Sequence, residues 1–143
     1  MSNVIYQGRR VPSVVVLVLD EETKKARMLS PGPSRSVQDH SVSFEWGYQG
    51  SGPSQLALAL LLDAIGETPI EQRPSPETAP VLAQRWQTQF KNDHISNWGG
   101  DTWMISRAEV VGWLRAVVAQ AHTKRTQYDM EPQFPKDPNA PVK

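Results

Sequence analysis

Hydrophobic and polar positions in the first third of the chain predict short β-strands. Residues 14–19 are an unbroken run of valine and leucine, a pattern typical of a strand that is buried on both faces. A polar turn follows, and residues 26–29 can return as the second strand of a hairpin. Residues 4–6 are a further strand candidate.

The clearest alternation lies in the middle of the chain and predicts a strand, a turn and a helix over residues 42–65. Val42, Phe44, Trp46 and Tyr48 would share one face of the strand. A glycine-rich turn follows, and Pro53 suits the first position of a helix because its missing N–H costs nothing there. That helix, which runs to about residue 65, is apolar on all sides over two turns and should be buried.

The remaining elements complete an α+β domain. A helix is expected over about residues 80–93, and a strand over residues 102–105. Ser106 and Glu109 form a capping box that opens a third helix. We therefore expect an antiparallel sheet of about four or five strands packed against three helices, in one domain over residues 1–124.

A flexible, Pro-rich tail is expected over residues 125–143. Its prolines recur every third residue, which would align them on one face of a polyproline II helix. Both a disordered tail and a docking motif are compatible with this spacing, which is shown by Pro132, Pro135, Pro138 and Pro141.

Composition narrows the classes of function. The 143 residues carry no net charge and no cysteine, which excludes disulfides, thiolate zinc sites and cysteine nucleophiles. Nucleic-acid binding is not expected, because proteins that bind nucleic acid by charge normally carry a stripe of basic residues, and the 15 basic residues here are balanced by 15 acidic ones. A basic face would have to come from the first hairpin, from Arg9, Arg10, Lys24, Lys25 and Arg27.

The apolar runs are too short to span a bilayer and the N-terminus lacks a signal-peptide pattern, so a cytoplasmic protein is expected.

The glycine-rich turn resembles two phosphate-binding motifs and matches neither. Pro53 occupies the position of the Walker A lysine. In the dinucleotide fingerprint G-x-G-x-x-G, Gly50 and Gly52 match, but Gln55 occupies the position of the third glycine. Free N–H groups at the helix start could still bind a small anion. The candidate ligand-binding residues are Tyr48, Gly50, Ser51, Gly52, Ser54 and Gln55. The alternative is that the glycines only permit a tight reversal of the chain.

Other candidate chemistry is sparse, and no catalytic residue, metal site or cofactor is predicted. The aromatic residues of the alternating segment could stack on a flat ligand, but packing against the apolar helix is favoured. Trp98, beside two glycines, is expected to be the exposed tryptophan and an interface anchor. An enzyme would require His40 or His94 to share a pocket with further groups.

The segment F-x-W-G-Y-x-G-S-G-P-x-Q-L-A, residues 44–57, resembles a family of small uncharacterised proteins from bacteria, archaea, phages and mobile elements. Phe90-Lys91 and Trp103-x-Ile105-Ser106 extend the resemblance, which implies an accessory protein. We therefore expect a non-catalytic protein-interaction module, such as a phage or mobile-element inhibitor of a host defence system of the anti-CRISPR kind. The alternative is a small-molecule domain that binds a nucleotide or another anion at the glycine-rich turn.

Overall fold

A computed structural model describes the backbone of residues 3–130 and the side chains of residues 3–124. The strands are β1 (Val4–Arg9), β2 (Val15–Asp20), β3 (Lys25–Met28) and β4 (Thr102–Ser106). The helices are α1 (Gly32–Val37), α2 (Ser51–Gly66), α3 (Ala79–Asp93) and α4 (Arg107–Met130), with 3₁₀ turns at Ile70–Gln72 and Ile95–Asn97. The predicted α+β class is confirmed. Helix α4 continues past the predicted start of the tail, and the four tail prolines lie outside the described residues.

The four strands form one antiparallel sheet in the order β3-β2-β1-β4. Its inner face joins the core through Val4 and Tyr6 on β1, Val16 and Val18 on β2, and Trp103 and Ile105 on β4. The opposite face, which we call the outer sheet face, is set by the pairing register. It consists of Ile5, Gln7, Arg9, Val15, Leu17, Leu19, Ala26, Met28, Thr102 and Met104.

The described chain leaves the outer sheet face partly open. Met28 and Met104 are 65% and 62% exposed, and Leu17 and Leu19 are only partly buried. The prediction that β2 is buried on both faces is therefore wrong for the described part of the chain. Within that part, the helical residues of the core cluster meet only the inner face.

Helix α2 lies at the centre of the core, as its sequence predicts. Leu56, Leu58, Leu60 and Leu61 have no exposed surface. The helix packs against α1, α3 and α4. It begins at Ser51, so Pro53 is the third helical residue and not the first as predicted, and it still lies within the first turn, where its missing N–H is tolerated.

The predicted strand over residues 42–49 is absent, because its backbone bonds to loops. The Trp46 carbonyl accepts a hydrogen bond from Arg10, and the Gly47 N–H donates to the Ile95 carbonyl. Gly47 also has φ +89°, which a strand residue does not adopt. Two of the four residues of the predicted strand face still enter the core. Phe44 and Trp46 are buried, while Val42 and Tyr48 are 73% and 50% exposed.

Two local predictions near the helices had opposite outcomes. The capping box is confirmed: Glu109 accepts from the Ser106 N–H at 3.2 Å, and the Ser106 hydroxyl accepts from the Glu109 N–H at 3.0 Å. Pro31 and Pro33 are typical of an irregular segment, but the residues around them form the short helix α1. Proline there is compatible with a helix because it lies at the first positions.

Candidate functional site

Gln55, one of the predicted ligand-binding residues, is a structural residue with no exposed surface. Its Oε1 accepts hydrogen bonds from the His40 and Ser41 N–H groups, at 2.7 and 3.0 Å. Its Nε2 donates to the Ser34 hydroxyl at 2.9 Å and to the Gln38 carbonyl at 3.2 Å. A glutamine amide can make four hydrogen bonds, so Gln55 has no bonding capacity left for a ligand.

The glycines of the turn are set against other backbone and side-chain atoms. A Cβ on Gly52 would lie 2.8 Å from the Glu45 Cβ, and one on Gly47 would lie 2.8 Å from the Trp98 carbonyl oxygen. A Cβ on Gly50 would meet the ring of Tyr48 at 2.6 Å. Close packing therefore requires glycine at Gly52, and at Gly47, where φ is also +89°, whereas at Gly50 the half-exposed Tyr48 ring could move aside.

What remains open at the turn is a small cluster at the start of α2, which we call the helix-start cluster: Ser51, Ser54 and Lys91. The Lys91 ammonium donates to the Ser54 hydroxyl at 3.2 Å, and that hydroxyl donates to the Gly50 carbonyl at 3.0 Å. Ser51 is exposed. The Ser54 N–H is already bonded to the Gly50 carbonyl, and Pro53 has no N–H, so the helix itself offers few free donors.

Residues 42–50, which we call the motif loop, are held from several sides. The Gly47 N–H bonds to the Ile95 carbonyl at 2.9 Å, and the Gln49 side chain bonds to the Ser96 hydroxyl at 3.2 Å. Buried Phe44 and Trp46 fix the middle of the loop to the core. Tyr48 is therefore a half-exposed aromatic side chain on a loop that is held in place.

Arg10 is the strongest of these restraints. Its guanidinium donates to Glu45 at 3.1 Å, to the Trp46 carbonyl at 3.0 Å and to the Gly100 carbonyl at 3.1 Å. It also forms an ion pair with Asp101 and lies 4.6 Å from the centre of the Trp46 ring. One side chain thus connects the end of β1, the motif loop and the turn before β4.

Trp98, the predicted interface anchor, is only partly exposed. Its ring stacks on Trp103 at 4.5 Å, and Trp46 meets Trp103 edge-on at 5.8 Å. Trp98 is therefore a partly buried residue that packs against the core. Tyr48 is more exposed than Trp98.

A polar network that the sequence did not suggest joins the sheet to α2 and α4. Asp63 accepts hydrogen bonds from Tyr6 at 2.7 Å and from Arg107 at 3.0 Å, and it also pairs with Arg27. The Arg107 guanidinium donates to the Tyr6 hydroxyl as well, at 3.1 Å. A cavity of about 580 Å³ adjoins the network on the Arg107 side, between Pro69 and Val111.

The protonation states of this network follow from its geometry. Burial, reinforced by the charge of Asp63, raises the pKa of Tyr6 far above its ordinary value, so the phenol stays a neutral donor. Burial acts to raise the pKa of Asp63 too, but hydrogen bonds from Arg27 and Tyr6 outweigh it, and that pKa lies below 3.8. The network is thus an ionised carboxylate shared by two guanidinium groups.

The two histidines of the enzyme alternative have different surroundings. His40 Nε2 lies 2.7 Å from the Gln87 side-chain oxygen. His94 packs against Phe90 and Trp113, at ring-centre distances of 5.0 and 6.1 Å, and its burial lowers its pKa below 6.5. Across residues 3–124, no three acidic or histidine side chains come close enough to hold a metal ion.

Two of the five basic residues of the first hairpin are engaged in ion pairs, and Arg9, Lys24 and Lys25 are exposed. Arg10 pairs with Glu45 and Asp101, and Arg27 pairs with Asp63. Among the described helices, none is both long enough and apolar enough to cross a bilayer.

The fold and the site together define a small α+β protein with a fixed motif loop and a sheet face that residues 3–124 leave partly open. The chain belongs to a family of unknown function, DUF6166, whose sequence profile matches residues 6–116. The predicted membership of an uncharacterised family is thus confirmed. No curated protein and no solved structure has significant similarity to the chain.

Proposed function

We propose that this protein is a non-catalytic protein-interaction module that contacts its partner through the motif loop. The observation that carries the proposal is Tyr48, which is 50% exposed on a loop whose neighbouring residues are buried or hydrogen-bonded. Tyrosine is enriched among the residues that dominate binding energies, because it offers a large contact area with few rotatable bonds.

The rigidity of the loop supports this role. Side chains that are already ordered lose less conformational entropy when they bind, so a fixed loop binds more tightly than a mobile one with the same contacts. Val42, at 73% exposure, adds apolar surface to the same loop. Together they present an apolar and aromatic contact beside the exposed polar groups of Gln49 and Ser51.

In its most specific form, the proposal is a phage or mobile-element inhibitor of a host defence system, comparable to an anti-CRISPR protein. Its support is the resemblance of residues 44–57 to proteins of that genetic context. The near balance of charge also favours a protein partner over a nucleic acid.

The test compares proteins captured from host lysate by the wild-type chain and by two variants. Tyr48→Ala removes the exposed ring, and Val81→Ala removes an exposed apolar side chain, 44% exposed, on α3. We expect a partner identified by mass spectrometry to bind wild type and Val81→Ala, and to be lost with Tyr48→Ala. Capture that Tyr48→Ala does not change would rule out the motif loop as the interface.

The second candidate function is the binding of a nucleotide or another small anion at the helix-start cluster. The specific observation is the Lys91 ammonium 3.2 Å from the Ser54 hydroxyl, beside exposed Ser51. A cation and two hydroxyls at a helix start suit a phosphate group.

This candidate predicts a thermal shift with inorganic phosphate or a member of a nucleotide panel, lost in Lys91→Gln. Gly52→Val is unsuitable as a test, because its Cβ would clash with Glu45 and disturb the fold itself. Arg85→Gln, which changes a charge elsewhere on α3, is the matched control. An unchanged melting temperature across the panel would reject anion binding. Lys91→Gln distinguishes the two candidates, because it should abolish the thermal shift and leave protein capture through Tyr48 unchanged.

A further inference from the structure

The outer sheet face carries more apolar surface than a solvent-facing sheet normally does. An antiparallel sheet with one wet face usually alternates apolar and polar residues along each strand. On β2, however, both sets are apolar: Val16 and Val18 point inward, and Val15, Leu17 and Leu19 point outward. Arg9 is the one charged residue of this face within the described chain.

The outer sheet face carries both a hollow and a projecting side chain. A hollow of about 460 Å³ lies beside Gly8, bordered by Gln7, Leu17 and Met104. On the other side of β2, Met28 projects from β3 with 65% of its surface exposed. The pairing register puts Met28, Leu17 and Gln7 in one row across the sheet, so the projection and the hollow lie at the same level along the strands.

We propose that this face binds a second copy of the chain, with the two sheets packed face to face about a two-fold axis that runs along β2. Such an axis places β2 over β2 and brings β3 of each copy over β1 of the other. Met28 of each copy then meets the hollow beside Gly8 of its partner, and the contact is made twice, as a two-fold interface requires. A nearly uncharged face suits a second copy because no charges of like sign are brought together.

The area of the outer sheet face indicates the class of interface that it can form. Strands about 4.8 Å apart with a rise of about 3.4 Å per residue give a footprint of roughly 400 Å² per copy, or roughly 800 Å² in all. Specific, stable interfaces bury about 1,200–2,000 Å² in all, and smaller ones are typical of transient association. We therefore expect a weak dimer whose population depends on concentration.

The first test is the molar mass of the full chain, measured by sedimentation equilibrium from about 1 µM to about 1 mM. We expect the mass to rise from one chain toward two. Met28→Lys should keep the protein monomeric, because it places a charge in the apolar contact. Val81→Lys, which alters an exposed apolar residue on α3, should associate like wild type.

The second test locates the contact. The chain has no cysteine, so Leu17→Cys introduces a unique thiol. Packed sheets lie about 10 Å apart, so a thiol crosslinker of about that span should join two Leu17→Cys chains and leave Val81→Cys chains unjoined. A monomer throughout the concentration range would overturn the proposal, and so would a dimer that Met28→Lys does not weaken.

Discussion

Replacement of Gln55 by leucine should destabilise the protein without unfolding it. The variant keeps the apolar volume of the position but removes all four hydrogen bonds that fix residues 34–41 to α2. The His40 and Ser41 N–H groups and the Gln38 carbonyl lose their partner. A buried polar group without a partner costs roughly 1–3 kcal/mol.

The expected loss is about 2–4 kcal/mol, because His40 and Ser41 are only partly buried and water can replace part of the bonding. A domain of this size has an unfolding free energy of about 5–15 kcal/mol, so the variant remains folded. Urea denaturation followed by tryptophan fluorescence measures the loss. With a slope of about 1–3 kcal/mol per molar urea, the midpoint should fall by about 1–2 M.

Gln84→Leu is the matched control, since Gln84 is an exposed glutamine whose side chain also reaches residue 38. It should change stability by less than about 0.5 kcal/mol. A loss of less than about 0.5 kcal/mol in Gln55→Leu itself would refute the structural role. If Gln55→Leu kept full stability but lost a phosphate-induced thermal shift, Gln55 would be a ligand contact after all.

Three further predictions concern the same fold. Gly47→Ala should cost about 1–3 kcal/mol in urea denaturation, because φ is +89° and the new Cβ would lie 2.8 Å from the Trp98 carbonyl. The folded-state pKa of Asp63 is below its ordinary value, so the carboxylate stabilises the fold above about pH 4, and this stabilisation is lost as the pH falls further. Asp63→Asn should reduce the loss of stability at acid pH, measured by urea denaturation at several pH values. At pH 7 the same variant should be less stable than wild type by roughly 1–3 kcal/mol. Burial also lowers the pKa of His94, so just below pH 6.5 the unfolded chain binds more protons than the folded protein, and the free energy of unfolding should decrease as the pH is lowered through this range. His94→Gln should remove this pH dependence. An unchanged dependence in the variant would contradict the assignment to His94.

Elements that depend on local pattern could be predicted from the sequence. The apolar helix α2, the β2–β3 hairpin and the capping box of Ser106 and Glu109 each follow from residues close together in the chain. Their hydrogen bonds form within the same element or with the next one, so periodicity and capping rules are sufficient.

The misassigned strand at residues 42–49 shows where local pattern fails. Its alternation satisfies the rule for a strand, and Phe44 and Trp46 are indeed buried. The backbone partners, however, are Arg10 and Ile95, which are distant in sequence and outside the segment's own pattern. A loop that remote residues hold at its middle and a half-buried strand have the same one-dimensional pattern.

The candidate site was less predictable for the same reason. Tyr6, Asp63 and Arg107 are separated by 57 and 44 positions, and no spacing rule joins them. Gln55 could be read as a ligand residue because glutamine beside glycines is common in binding turns. Its complete burial becomes apparent only when α1 and the following segment are placed beside it.

The position of Arg10 has a consequence for how the protein opens. One guanidinium, on the residue that follows β1, bonds to the motif loop and to the turn before β4, and Trp46 Nε1 also donates to the Gly100 carbonyl at 3.0 Å. If either segment opens, it therefore breaks hydrogen bonds that hold the other. Amide hydrogens of the motif loop and of that turn should therefore exchange with solvent as one cooperative unit, with a common opening free energy. In Arg10→Met the two segments keep the Trp46–Gly100 hydrogen bond but lose the guanidinium bonds, so the amides of both should exchange faster and their opening free energies should move apart.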